Sequence, residues 1–134
     1  MKKVAVVILN WNGLELLRSF LPSVVGSLPE YAELIIADNA STDKSIDFVK
    51  ANFTKIKIIQ NKSNGGFAKG YNDALKYVNN KFLVLLNSDI ETPNNWMEPV
   101  IDFMEANPTT GAAMPKILQL KNKTHFEYAG AAGG

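Results

Sequence analysis

Three short apolar runs, at residues 4–9, 34–37 and 82–86, and the segment Ile56-Lys57-Ile58-Ile59, read as a further strand, alternate with segments whose apolar residues recur at helical spacing. Runs of four to six apolar residues without polar alternation read as strands covered on both faces. Leu14, Leu17, Leu21 and Val24 mark a first helix, which Pro22 is expected to kink or restart. Ile46, Val49 and Phe53 mark a second, expected to begin near Ser41-Thr42-Asp43, where the side chains offer N-cap chemistry. Ala68, Tyr71, Leu75 and Val78 mark a third. Trp96, Val100, Ile101 and Met104 mark a fourth, opened by Pro93-Asn94-Asn95 and closed near Asn107-Pro108. Residues 111–120 read as a further strand, at an edge or a bulge because of Pro115. Strict alternation of this kind predicts an α/β fold, a mainly parallel sheet with helices on both faces.

Right-handed crossovers place every loop that follows a strand on one edge of such a sheet. Here those loops lie at residues 10–13, 38–43, 60–66 and 87–91, and they are rich in Asn, Asp, Ser and Gly. Turn chemistry explains part of that content but not its gathering on one edge. The edge is where open α/β folds bind ligands.

Two common nucleotide motifs are excluded. A dinucleotide fold needs Gly-x-Gly-x-x-Gly after the first strand, where this chain has Asn10-Trp11-Asn12-Gly13. Gly65 and Gly70 have P-loop spacing, but Tyr71 and Asn72 stand where Lys and Ser or Thr are required. What remains is a diphosphate site that relies on a metal. Mg²⁺ and Mn²⁺ take hard oxygen ligands, commonly one or two carboxylates with phosphate oxygens and water. Asp89, just past the run at 82–86, is placed to supply that carboxylate, with Glu91 either a supporting partner or a solvated loop charge.

Asp38-Asn39 follows the second strand. A carboxylate there can accept from a pyrimidine N–H or from two guanine donors, or it can serve the turn alone. In the stretch from Asn64 to Asn72, Gly65 and Gly66 let backbone approach a ligand. Gly70 and Asn72 are poor helix formers inside the helix, which a simple turn leaves unexplained. Trp11, Phe67 and Trp96 are candidates to flank a base or sugar, although core packing is the ordinary role of such side chains. His125 is a lone histidine without a catalytic partner nearby in sequence, and no catalytic role is assigned to it.

Composition closes off other functions. Fourteen Lys and Arg against thirteen Asp and Glu give a net charge of +1, no electrostatic basis for binding nucleic acid or an anionic membrane. The absence of cysteine excludes disulfides, zinc-thiolate sites and thiol nucleophiles, and it suits the cytoplasm. The six-residue apolar run behind Lys2-Lys3 is too short for a signal peptide, and no run reaches transmembrane length. The 134 residues are expected to form a single domain spanning 1–134, cut from a longer parent at the Gly- and Ala-rich end.

Taken together, Val6-Val7-Ile8-Leu9-Asn10-Trp11-Asn12, Asp38-Asn39-Ala40-Ser41-Thr42-Asp43, Asn64-Gly65-Gly66-Phe67-Ala68-Lys69-Gly70-Tyr71-Asn72 and Leu86-Asn87-Ser88-Asp89 resemble family 2 glycosyltransferases. The likeness is to the rhamnosyltransferase-type members that build bacterial surface polysaccharides. It implies a Rossmann-like GT-A fold, truncated before the acceptor-binding half, and sugar transfer with inversion from a nucleotide-diphospho-sugar to an acceptor hydroxyl. It also implies a divalent cation, Mg²⁺ or Mn²⁺, and a dTDP- or UDP-sugar donor with a saccharide or lipid-linked acceptor. By position, Asp38 would bind the base, and Asn10 and Asn72 would line the nucleoside pocket. Asn12, Asn39, Gly66, Asn87 and Ser88 would belong to the same donor site. Asp89 would be the metal ligand of an Asp-x-Asp motif whose first position is Asn87 here. In such a site Asp38, Asn72 and Asp89 face one shared hollow.

The family's general base lies in the half that follows, so none is assigned, and this stretch alone is expected to be inactive. Location in the cytoplasm is expected, with any attachment to the inner face of the membrane residing in later parts. Two other readings stand beside this one. A non-catalytic nucleotide-sugar-binding module, or degenerate relative, accounts for Asn87 and the missing base. A sugar nucleotidyltransferase would need a cationic Gly-rich loop after the first strand, which Asn10-Trp11-Asn12-Gly13 does not supply.

Overall fold

The computed structural model describes residues 2–109, 111, 117–118 and 126–128. They fall into two units, Met1–Asn94 and Asn95–Gly134. In the first, β1 (Val4–Asn10), α1 (Leu14–Gly26), β2 (Ala32–Asp38), α2 (Ser45–Asn52), β3 (Lys57–Gln60), α3 (Phe67–Leu75) and β4 (Phe82–Leu86) alternate as expected. The strands form one sheet in the order β3-β2-β1-β4, parallel throughout.

That order decides which face each helix covers. The chain steps outward from β1 to β2 to β3, then crosses back over both to β4. With right-handed crossovers, α1 and α2 lie on one face and α3 on the other. Accordingly α1 touches α2, while α3 packs on β1 and β2. Ala5, Val7, Ile35 and Ala37 form a core with Tyr71, Ala74 and Val78 from α3 and the turn behind it. Strand alternation leaves Val6, Ile8, Leu34 and Ile36, all buried, for the face under Leu17, Leu21, Val24, Ile46 and Val49.

Several boundaries differ from the sequence reading. Helix α1 runs unbroken through Pro22, which only removes the donor that the Arg18 carbonyl would have used. Helix α2 begins at Ser45, because Ser41, Thr42 and Asp43 are engaged elsewhere. Helix α3 ends at Leu75, and tight turns from Tyr77 and Val78 to Ala74 and Leu75 preserve the apolar period beyond it. Strand β4 is the largest departure. Read as covered on both faces, it pairs among the described residues with β1 alone, and Leu83 and Leu85 are 45% and 53% exposed. A continuous apolar run fixes a strand but does not report how many of its faces are covered.

The second unit contains α4 (Glu98–Ala106), β5 (Ile117–Leu118) and β6 (Phe126–Tyr128). Helix α4 has Pro99 in its first turn, where a missing N–H costs nothing, and Met97 and Ile101 are buried. Of the expected strand at 111–120, Ile117–Leu118 is a strand, paired antiparallel with β6, and Gly111 is not. Pro115 and His125 lie outside the described residues. No helix among the described residues is long and apolar enough to cross a membrane.

Candidate functional site

The register sets Asn10 beside Asp38 and Asp38 beside Gln60, so β1, β2 and β3 end level with one another. Their loops are then tied by two hydrogen-bond networks.

The first joins the loops after β1 and β2. The Asn10 amide donates to Asp38 Oδ1 (2.9 Å), Ser45 Oγ (2.9 Å) and, more weakly, Ser41 Oγ (3.2 Å). Ser41 donates to Asp38 through its hydroxyl (2.6 Å) and its backbone N–H (3.0 Å). Asn10 and Asp38 are 1% and 2% exposed. An ionised carboxylate only accepts, so the Asn10 nitrogen must face Asp38 and Oδ1 must face away. That oxygen is buried without a hydrogen-bond partner, and a Cβ at Gly13 would stand 2.6 Å from it. Gly13 is therefore a close-approach glycine.

Outside this pair, Asn12 Oδ1 accepts from the Thr42 and Asp43 backbone N–H groups at 2.8 and 3.2 Å. Asp43 caps the helix that starts on the other loop, accepting from Leu14 N–H at 3.2 Å and also from the Ser45 hydroxyl and backbone N–H. What burial Asp43 has pushes its carboxyl upward, but the hydrogen bonds from Ser45 and Leu14 outweigh it and hold the group below the ordinary aspartate value. Asn12 and Ala40 adopt left-handed backbone, at φ 48° and 63°. Asparagine tolerates that conformation, whereas alanine is strained by it.

The second network joins the loops after β2 and β3 to α3. Asn39 is 2% exposed. Its amide donates to Asn64 Oδ1 (2.9 Å) and the Gly66 carbonyl (3.2 Å), and its oxygen accepts from the Asn61 amide (3.0 Å). Asn61 also donates to the Gly70 carbonyl at 3.0 Å. A Cβ at Gly70 would lie 2.9 Å from both Asn39 Nδ2 and Leu9 Cδ1. Gly70 is thus in the helix so that α3 can close on Asn39 and β1. Gly66, at φ 95°, makes the left-handed turn into α3.

Beside these networks, between the ends of β1 and β4, lies a hollow of about 450 Å³. The strand order reverses at this point, since β2 lies on one side of β1 and β4 on the other, and open α/β sheets bind ligands at such a reversal. Its lining comes from β1, its loop and α1 (Leu9, Trp11, Leu16), from the loops after β2 and β3 with α3 (Asn39, Asn64, Gly66, Phe67, Tyr71), and from the loop after β4 (Asn87, Ser88, Asp89). Another depression, of about 610 Å³, runs along β3 from Lys57 to Gln60 beside Lys76 and Tyr77.

The hollow sorts the residues singled out in the sequence. Asn39, Gly66, Asn87, Ser88 and Asp89 line it. Asn10, Asn12 and Asp38 stand behind it in the first network, and Asn72 is exposed on α3 outside its lining. Of Asp38, Asn72 and Asp89, only Asp89 faces the hollow; its other sides are held by their sequence neighbours Asn39 and Tyr71. Trp11 and Phe67, for which core packing is the ordinary role, are 56% and 64% exposed on its rim. Sequence reasoning missed Ser45 and Asn61, which carry hydrogen bonds in the two networks. Lone polar residues at the ends of elements gave no pattern to find them by.

Asn87, Ser88 and Asp89 offer an amide carbonyl, a hydroxyl and a carboxylate, all hard oxygen donors on one loop. Among the described residues no cluster of three or more His, Cys, Asp or Glu could enclose a metal. The donor set therefore fits a cation shared with ligand phosphates and water, as is usual for Mg²⁺, and not a cage built by protein alone.

The family model described as Glycosyl transferase family 2 matches residues 5–130. An uncharacterized glycosyltransferase of Haemophilus influenzae is 25% identical over 107 residues, 78% of this chain and 33% of that protein. Polypeptide N-acetylgalactosaminyltransferase 4 of Caenorhabditis elegans is 27% identical over 112 residues, 82% of this chain and 19% of that one. The chain spans a third or less of these relatives. Among solved structures, S. aureus TarS 1-349 in complex with UDP-GlcNAc matches with a TM-score of 0.70 and 21% identity, over 91% of this chain and 42% of that one. Mannosyltransferase PcManGT from Pyrobaculum calidifontis, in complex with GDP-Man and Mn²⁺, matches with a TM-score of 0.71 and 20% identity, over 81% and 34%. At these identities the likeness shows a shared fold, that of the GT-A glycosyltransferases.

Proposed function

The chain belongs to glycosyl transferase family 2, and from that premise we propose that its hollow holds the nucleotide-diphospho end of an activated sugar, in a parent enzyme that transfers the sugar with inversion. One observation carries the reading: Asp89 and the exposed aromatics Trp11 and Phe67 line the same cavity at the reversal of strand order. A nucleotide sugar has a flat apolar base at one end and a diphosphate at the other. Exposed aromatic faces suit the first, and a carboxylate that recruits a cation suits the second. The relatives with UDP-GlcNAc and with GDP-Man and Mn²⁺ support this choice of ligand class. The proposed donor is a dTDP- or UDP-sugar, the acceptor a saccharide or lipid-linked hydroxyl, and the setting bacterial surface polysaccharide synthesis at the cytoplasmic side, as in the rhamnosyltransferase-like subgroup.

Asn87, Ser88 and Asp89 would hold the cation, which when bound stabilises charge on the departing diphosphate. Asn39 and Gly66 shape the wall against which the nucleotide lies. Asn10, Asn12 and Asp38 keep that wall in place. Contact between Asp38 and a base requires Ser41 to swing off the carboxylate. Asn72 reaches a ligand only at the outer margin of α3.

An attacking hydroxyl must lose a proton, and Asp89 is the only carboxylate lining the hollow among the described residues. That favours donor binding without turnover by this chain alone. Calorimetric titration of UDP, GDP and dTDP, with Mn²⁺ and with EDTA, tests the reading. Binding strengthened by Mn²⁺ and weakened by Asp89→Ala is expected. A folded protein that binds none of the three, or equal affinity in Asp89→Ala, overturns it.

A further inference from the structure

We infer that Tyr71 is a positioning residue that fixes the start of the Asn87-Ser88-Asp89 loop, and so the site of the cation; this rests on the donor-site reading above. Pairing of β1 with β2 continues to Asn10↔Asp38, but pairing of β1 with β4 stops two residues earlier, at Ile8↔Leu86. Beyond Leu86 the chain leaves the sheet as a loop whose residues reach the hollow. Such a loop needs another anchor if its carboxylate is to hold one place.

Behind Asp89 the loop is held by Thr92, which bonds Ser23 and Ser27; the anchor ahead of Asp89 comes from α3. The Tyr71 hydroxyl accepts from the Leu9 backbone N–H at 3.4 Å and donates to the Leu86 carbonyl at 3.3 Å. A phenol has one proton and a carbonyl only accepts, so the direction is fixed: Leu9 N–H to Tyr71 O–H to Leu86 C=O. One hydroxyl therefore joins β1 near its end to the end of β4, on a residue that lines the hollow. The ring has little room to move. Tyr71 is 4% exposed, it packs in the core with Ala5, Val7 and Ala37, and Phe67 meets it edge to face with centroids 4.9 Å apart. Phenylalanine would fill the same core space. The hydroxyl adds only this bridge, three residues upstream of Asp89.

Groups bonded directly to a metal ligand commonly change metal affinity by roughly 10–100-fold when removed, and Tyr71, one step further back, should act at the lower end of that range. The test is Tyr71→Phe, with UDP, GDP and dTDP each titrated in Mn²⁺ and in EDTA. The expected result is a roughly tenfold drop in the factor by which Mn²⁺ raises affinity, over and above any change in the metal-free arm, since Tyr71 also lines the hollow. A merely structural role would weaken both arms alike, and that result, or a fully retained Mn²⁺ gain, overturns the inference. A wild type without Mn²⁺-dependent binding overturns the donor-site reading and this inference with it. Should Tyr71→Phe fail to fold, amide NMR of the wild type decides. Adding Mg²⁺ to nucleotide-saturated protein should shift the Leu9 amide together with Asp89. A Leu9 signal that stays still while Asp89 moves overturns the proposal.

Discussion

The two sides of the sheet's ligand edge use the same kinds of residue to opposite ends. On the β2 side, Asn10, Asp38, Asn39 and Ser45 are buried and bonded to one another. On the β4 side, Asn87 and Asp89 are exposed on a loop that lines the hollow together with Trp11 and Phe67. A polar cluster after a strand can thus be frame or contact. What separates the two is whether neighbouring strands end level. β1, β2 and β3 do, so their loops bond side by side. β4 stops two residues short of β1's full pairing, and its loop turns toward the cavity.

The sharpest way to break this contrast is to remove one carboxylate from each side. Asp38→Ala strips partners from the buried Asn10 amide and from Ser41, and should cost about 3 kcal/mol of stability in urea unfolding. Asp89→Ala should leave the urea midpoint nearly unchanged and abolish the Mn²⁺-dependent part of nucleotide binding. If Asp38→Ala unfolds like the wild type, Asp38 is not frame, and its role as a base ligand gains weight.

A methyl group at Gly70 probes how closely the frame is packed. Gly70→Ala sets a Cβ 2.9 Å from Asn39 Nδ2 and Leu9 Cδ1, so one of them must move. A loss of about 1–3 kcal/mol in thermal or urea unfolding is expected, although alanine is the better helix former. A gain in stability would mean that α3 is free to shift off Asn39.

The reverse exchange relieves strain. Ala40 sits at φ 63°, so Ala40→Gly should stabilise the protein by about 0.5–1 kcal/mol, the left-handed penalty less the extra freedom of glycine in the unfolded chain. A lower unfolding midpoint would show that Ala40 does not hold that conformation in solution.

Strand positions and the parallel topology were legible because apolar runs and helical periods survive in sequence whatever the tertiary detail. The edge that gathers the polar loops followed from crossover handedness alone. What was not legible depends on neighbours. The run at Phe82–Leu86 reads the same whether one face or two are covered. Val78 keeps α3's period although it lies in a turn. Gly70 looks like a ligand-facing glycine until Asn39 is seen against it. Asp38 and Asp89 both follow apolar strands, and only the register of β4 against β1 shows that one is closed in and the other open.

Asp43 offers the finest test, because it lies on the frame side yet is largely solvated. Its hydrogen bonds from Ser45 and the Leu14 backbone lower its folded pKa below the unfolded value, near the ordinary aspartate figure of about 3.9. A depressed carboxyl pKa adds stability that is fully present above the unfolded value and is lost as pH falls through the folded one. The contribution should therefore be intact at neutral pH, begin to fade as the pH nears about 4, and be gone only below the folded value. Solvent screening keeps it small, the least of the effects considered. Asp43→Asn keeps an acceptor for Leu14 but no titrating group. Its stability should be lower than wild type at pH 7, and the two proteins should converge as the pH falls below the ordinary aspartate value and through the folded one. Parallel curves across that range would mean that the charge of Asp43 adds nothing, and that the bridge between the β1 and β2 loops rests on its neutral hydrogen bonds alone.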